Sequence, residues 1–125
     1  MQQRTRQSGP SIAESGFRTF ENIADRWRLT TKEREAILGI SRSTYARQRA
    51  DPAKARLDSN AIERLSHVLG IYKALHILFA DADRADTWID RPSVDFAGEP
   101  ARKRLTSGLV ADLAFVRHYL DVARG

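Results

Sequence analysis

The sequence predicts an all-α protein: an N-terminal helix-turn-helix bundle followed by a small helical domain packed on a long central helix. Three observations carry this. Apolar residues recur at helical spacing along most of the chain, and no run alternates cleanly at period two. Thr30-Thr31-Lys32-Glu33 is a helix-start signature, Gly39 is a stop, and Ser41 is a second start. The 125 residues include no cysteine, yet a chain of this length buries enough surface for a core without disulfide or metal staples.

Each element follows in order. Phe17, Phe20, Ile23, Ala24 and Trp27 share one face, so the spacing predicts a helix over 17–27. Thr30 caps the next helix, and Glu33 reaches back to the Thr30 amide; that helix spans 31–38. Gly39 ends it, Ile40 tucks inward, and Ser41 caps a third helix running to about residue 50. Asp51-Pro52 stops the third helix, because a residue before proline disfavours the α region.

A long helix starts at Asp58, Ser59 or Asn60 and runs to about residue 80. Ile62, Leu65, Leu69 and Tyr72 lie on one side of its first half. From Val68 to Phe79 it is apolar on almost every face, which predicts burial all round at the centre of the fold. Gly70 inside it predicts close approach of a neighbouring helix. Residues 81–89 form a short acidic helix, and RPSVDFAGEP (91–100) an ordered loop outside regular structure. Pro100 opens a helix that Gly108 closes. The last helix runs from Leu109 to about residue 123, with Leu109, Leu113, Val116 and Leu120 in the core. The expected organisation is a disordered basic arm (1–14), a helix-turn-helix region (15–57) and a helical domain (58–125).

Charge divides the chain. Residues 1–57 carry 12 Lys/Arg against 6 Asp/Glu, a net of +6, whereas residues 58–125 carry 9 against 10, a net of −1. A basic half suits a polyanion such as DNA, and a near-neutral half suits a protein partner. The N-terminus has no apolar core of the kind a signal peptide needs, and no apolar run reaches the ~20 residues of a membrane span. With no cysteine, the expectation is a cytoplasmic protein.

LGISRSTYARQRA (38–50) then reads as the turn and recognition helix of a helix-turn-helix. Leu38, Ile40 and Tyr45 point inward. Arg42, Ser43, Thr44, Arg47 and Gln48 face DNA, with Arg suited to guanine and Ser or Thr to phosphates or bases. Arg49, Lys54 and Arg56 serve backbone charge. Two positions depart from the usual pattern: Glu35 stands four before the turn glycine, where a small residue is common, and Gln48 stands three after the tyrosine, where an apolar one is common.

TTKEREAILGISRSTYARQR resembles the N-terminal half of the Xre/MbcA/ParS antitoxin family. TWIDRPSVDFAGEPARKRLTSGLVADLAFVRHYLDVARG resembles its toxin-binding domain: a tryptophan, a proline-bearing loop, Phe-x-Gly-x-Pro, a leucine, a glycine and a final helix. The resemblance implies an antitoxin that binds a RES-domain toxin and represses its own operon. Such toxins act on NAD by degradation or ADP-ribosylation; the antitoxin itself is not an enzyme. It places Trp88, Arg91, Phe96, Arg102, Arg104, Tyr119, Arg124 and Gly125 near the toxin, with Arg124-Gly125 as a mobile tail that could enter the toxin's NAD cleft. Read by packing alone, Trp88 and Phe96 are plugs that anchor the loop, and Arg102, Lys103 and Arg104 a solvated helix face.

No catalytic or metal constellation is visible. His67 and His76 lie nine residues apart on one helix and point different ways. Asp81, Asp83, Asp86 and Asp90 lack the glycine and terminal glutamate of a calcium loop. Phosphate-loop, dinucleotide, nucleophile-elbow and zinc-protease motifs are absent, so neither cofactor nor metal is expected. The expected partners are operator DNA, a toxin and a second copy of the chain, since one short recognition helix buries little surface and a two-fold dimer matches inverted half-sites. The alternatives are a stand-alone transcription regulator with a C-terminal dimerisation domain, and a protein-interaction module whose basic half meets an acidic partner.

Overall fold

The computed structural model describes Gly9 and residues 11–125. The fold is all-α, as expected, with seven helices and one two-residue antiparallel ladder among the described residues. Helix α1 spans Ile12–Arg26, α2 Thr31–Leu38 and α3 Arg42–Ala50. A 3-10 turn at Pro52–Lys54 leads to α4, Ser59–Leu78, which Asp58 caps by accepting from the Ala61 amide at 2.8 Å. Then come α5 (Ala82–Thr87), a 3-10 turn (Trp88–Asp90), strands β1 (Pro92–Ser93) and β2 (Glu99–Pro100), α6 (Ala101–Leu105) and α7 (Val110–Arg124). No helix among the described residues is long and apolar enough to cross a membrane.

Helix α1 begins five residues before the expected start. Apolar periodicity begins only at Phe17, but Ser11 caps the helix by accepting from the Glu14 amide at 3.0 Å, and Glu14 pairs with Arg18 at 2.9 Å. Residues 12–14 of the expected arm are therefore helical; residues 1–8 and 10 lie outside the described residues.

Helix α4 is central but not buried all round. Ala61, Leu65, Val68, Ile71, Ala74 and Leu75 face the core, against α1, α2, α5 and, most extensively, α7. Ile62, Leu69 and Ile77 face outward, 49%, 37% and 54% exposed. Helices cover α4 on the core side only. Gly70 does permit close approach, though by a side chain: a Cβ there would meet the Arg117 guanidinium, 2.7 Å from its carbon, and Arg117 donates across α4 to the Ser66 carbonyl. Leu113, Val116 and Leu120 are buried as expected, but Leu109 caps α7 from outside it and is 62% exposed.

Residues 91–100 carry more order than expected. Pro92 pairs with Pro100 and Ser93 with Glu99, around a 3-10 turn at Val94–Phe96. Ala97 and Gly98 close the hairpin at positive φ. Pro100 sits at the N-cap of α6 rather than in its first turn. Two acids singled out above are paired: Asp86 accepts from His76 at 3.0 Å and lies 3.6 Å from Arg26, and Asp90 from Arg102 at 3.1 Å.

Candidate nucleic-acid interface and partner face

The helix-turn-helix corner is built by local rules. The Glu33 amide donates to the Thr30 hydroxyl at 3.1 Å, and the Thr30 amide to the Glu33 carboxylate at 2.8 Å, so the capping box is complete. Gly39 ends α2 in the left-handed region at φ 66, and both its amide and that of Ile40 donate to the Glu35 carbonyl. The left-handed φ favours glycine there, and a Cβ at Gly39 would also displace the Arg64 guanidinium, 2.8 Å away, which donates to the Ala36 carbonyl. Ser41 caps α3 by accepting from the Thr44 amide at 3.1 Å.

Beneath α3 lies a polar network that hydropathy does not announce. Tyr45 is buried, and its hydroxyl donates to the Glu21 carboxylate at 2.7 Å. Arg34, 7% exposed, lies 3.3 Å from Glu21, donates to Asp25 at 2.8 Å and to the Leu29 carbonyl at 3.1 Å. A buried guanidinium persists only where such partners are in place. Burial first, and then the bond to Glu21, push the Tyr45 hydroxyl up to about 12, so it remains a neutral donor. Together Glu21, Arg34 and Tyr45 bolt α1, α2 and α3 together. The sequence signal was the tyrosine; its partners sit on other elements.

Tyr45 and Gln48 mark the buried side of α3, leaving Arg42, Ser43, Ala46, Arg47, Arg49 and Ala50 exposed. At about 100° per residue, Arg42, Ser43 and Ala46 lie near the middle of that face, with Arg47 and Arg49 on opposite flanks. Ala46 was not singled out in the sequence. Gln48 was expected to face DNA, but it is 5% exposed and fills the apolar position noted above; its amide donates to the Arg56 carbonyl, and its side-chain oxygen has no partner among the described residues. Thr44 is half-buried and accepts from Ser41 at 2.9 Å and from Arg47 at 3.4 Å. Arg49 lies 3.9 Å from Glu21. Beside α3, Thr44, Arg47, Asp51, Lys54 and Arg56 line a cleft of about 500 Å³ that carries three cations against one acid.

Residues 11–70 match the family model of the antitoxin Xre-like helix-turn-helix domain. Over 117 residues the chain is 44% identical to the uncharacterized protein y4oB of Sinorhizobium fredii (strain NBRC 101917 / NGR234), spanning 93% of this chain and 86% of that one. Residues 11–70 thus form an antitoxin Xre-like helix-turn-helix domain. The matched segment ends at Gly70, inside α4, and so contains the whole corner and α3.

Beyond the matched segment, the residues expected near a toxin divide into three groups. Trp88, Phe96 and Tyr119 form one aromatic cluster: ring centroids lie 5.9 Å apart for Trp88 and Phe96, 5.1 Å for Phe96 and Tyr119, and 6.3 Å for Trp88 and Tyr119. Phe96 is 2% exposed and anchors the hairpin, whereas Trp88 and Tyr119 are half-buried. The Tyr119 hydroxyl donates to Asp95 at 2.7 Å, which with slight burial holds its pKa above the ordinary value. Phe115, 44% exposed, extends the cluster, and Arg104 lies 4.3 Å over its ring. Phe115, His118, Tyr119, Val122 and Ala123 line a shallow apolar cleft on α7 of about 440 Å³. The second group, Arg91 with Arg84, brackets the Phe79 ring at 5.8 and 5.5 Å.

The third group departs from expectation. Arg102 is partly exposed, and its guanidinium is directed to internal acceptors. Arg124 and Gly125 form no extended tail, because α7 continues through Arg124 and lays these residues beside Gly70, Lys73 and Arg117.

Proposed function

We propose that this protein is a non-enzymatic cytoplasmic antitoxin that neutralises a RES-domain toxin acting on NAD and represses its own operon as a two-fold dimer. The observation that carries the DNA half is the exposed face of α3, where, among the described residues, Arg42 has no internal partner and Arg47 only a weak one, on a helix otherwise bolted to the core. Arg42, Ser43 and Ala46 meet base edges, and Arg47, Arg49, Lys54 and Arg56 meet phosphates. Thr44 supports the helix start, and Gln48 acts from within the core.

The toxin face comprises the Trp88–Phe96–Tyr119 cluster with its exposed rim, Phe115 and Val122. Support comes from the family resemblance of residues 87–125 and from an aromatic patch rimmed by arginine, a composition suited to a protein interface. Dimerisation uses the groove between α1 and α4, lined among others by Ile12, Gly16, Leu57, Ile62 and Leu69; among the described residues none that lines it is charged, in a chain that is 30% charged.

The experiment is co-expression with the product of the adjacent gene, followed by co-purification and an NAD-consumption assay, alongside a gel shift with the DNA upstream of its own coding sequence. Copurification, arrested NAD loss and a specific shift support the reading. A specific shift without a toxin neighbour leaves a stand-alone regulator, and binding of an acidic protein without any shift leaves an interaction module.

A further inference from the structure

One arginine from outside the matched helix-turn-helix segment ties that segment's entry corner together. Arg102, on α6, offers five N–H donors, and each has an acceptor. Nε donates to Glu33 Oε2 at 3.0 Å and Nη2 to Glu33 Oε1 at 2.8 Å. Nη1 donates to the Trp27 carbonyl at 3.0 Å and to Asp90 at 3.1 Å, and Nη2 also to the Arg28 carbonyl at 2.8 Å. The side chain is 22% exposed, and that of Glu33 24%.

Four of these acceptors, the two Glu33 oxygens and the Trp27 and Arg28 carbonyls, stand where α1 hands over to α2; the fifth, Asp90, lies on the 3-10 turn after α5. Trp27 and Arg28 follow the last turn of α1, where carbonyls lack partners within the helix and the helix dipole is negative. Glu33 simultaneously caps the start of α2. Between them Arg28 adopts φ 54, a left-handed conformation that a non-glycine residue holds only when its surroundings impose it. Leu29 and Thr30 complete the corner, and after α2 only Gly39, Ile40 and Ser41 separate it from α3. A displacement of the first turn of α2 therefore passes directly to the recognition helix.

We propose that Arg102 is a positioning residue for DNA reading: the C-terminal half sets the angle of the helix-turn-helix by clamping the α1–α2 corner to Glu33. The inference rests on the proposed DNA binding by α3 and makes a distinct prediction within it. Base contacts demand registration to a fraction of an ångström, whereas phosphate attraction tolerates a tilted helix. Loss of the clamp therefore erodes sequence-specific binding and spares non-specific binding.

The test compares Arg102→Gln and Glu33→Gln with the unmodified chain. Glutamine at 33 keeps the capping bond to the Thr30 amide while removing the charge that holds Arg102. Arg102→Lys supplies a milder variant, since one ammonium keeps the charge but cannot span a carboxylate and two carbonyls. Two labelled duplexes are titrated across a salt series: the DNA upstream of the coding sequence, and a scrambled duplex of equal length. Circular dichroism establishes that each variant is folded at the assay temperature.

The expected result is a loss of roughly tenfold or more on the upstream duplex, in the range of one lost base contact, with scrambled binding changed by less than about twofold and the salt slope unaltered. The double variant should be no worse than the worse single one, because both break the same contact. Folded variants that bind both duplexes like the unmodified chain overturn the proposal and leave Arg102 a stability residue. Equal losses on both duplexes with a flatter salt slope also overturn it, making Arg102 a direct phosphate contact. An unmodified chain that fails to distinguish the two duplexes instead overturns the DNA reading on which the proposal rests.

Discussion

Replacing Arg42 and Arg47 together by alanine perturbs the DNA face while leaving its support intact. Both side chains are exposed; Arg42 has no hydrogen-bond or ion-pair partner among the described residues, and Arg47 reaches only the Thr44 hydroxyl, at 3.4 Å. The double variant should therefore melt within a degree or two of the unmodified protein, as surface changes away from caps and networks usually do. Its effect on DNA follows from counterion release, where each phosphate contact contributes about 0.9 to the slope of log K against log salt. A two-fold dimer carries each arginine twice. The slope should flatten by about 3.6 if both residues meet phosphates, and by about 1.8 if only Arg47 does while Arg42 grips a guanine. In the second case Arg42→Ala alone should also relax discrimination at one base per half-site by about 1–3 kcal/mol. The assay is fluorescence anisotropy on the upstream duplex over a salt series, with both single variants in parallel. A double variant that binds with unchanged affinity and unchanged slope would refute the assignment of α3 as the DNA-contacting element.

Further perturbations probe the rest of the molecule. Phe96→Ala removes a ring that is 2% exposed and touches Trp88, Phe115 and Tyr119; urea unfolding should show a loss of about 3–5 kcal/mol, a large share of the roughly 6–19 kcal/mol usual for a chain of this length, and a loss below about 1 kcal/mol would mean the ring anchors nothing. The Glu33 carboxyl is held below its ordinary value by its bond to Arg102 and then by Thr30, so its folded pKa is lower than its unfolded one. Its stabilisation is complete above the ordinary value of 4.5 and is lost as pH falls through the folded value. Chemical denaturation from about pH 6 down to about pH 3 should therefore weaken the unmodified protein more steeply than Glu33→Gln, and parallel curves would contradict a charged clamp. Ile62→Glu with Leu69→Glu alters two outward positions on α4, 49% and 37% exposed. Light scattering should show the dimer become a folded monomer with weaker operator binding; an unmodified protein that is already monomeric at micromolar concentration would rule out this dimer face.

The legibility of the fold followed the range of the interactions. The limits of α2 and α3, the Gly39 turn and the Thr30–Glu33 box could all be read from residues within four positions of one another, and the structure shows them there. The same kind of signal, Ser11 with Glu14, was present for α1 and was masked because apolar spacing begins later. Gln48 shows the other side: its type suggests a reader of bases, but its place one turn after Tyr45 puts it in the core. Position on the helix outranked polarity there, and the amide found the Arg56 carbonyl in compensation.

By itself the sequence determined the helical class, the order of the elements, the turn that holds the recognition helix and the basic bias of the first half. Those properties depend on caps, periodicity and charge, all local or additive along the chain. Only the tertiary structure decided that α4 leaves an apolar flank uncovered, that Arg34 is a buried strut, and that Arg102 reaches from α6 to Glu33, 69 residues away. A guanidinium is equally compatible with solvent, phosphate, a toxin or an internal carboxylate. Which of these it meets is settled by the packing that brings distant backbone carbonyls and carboxylates into its reach.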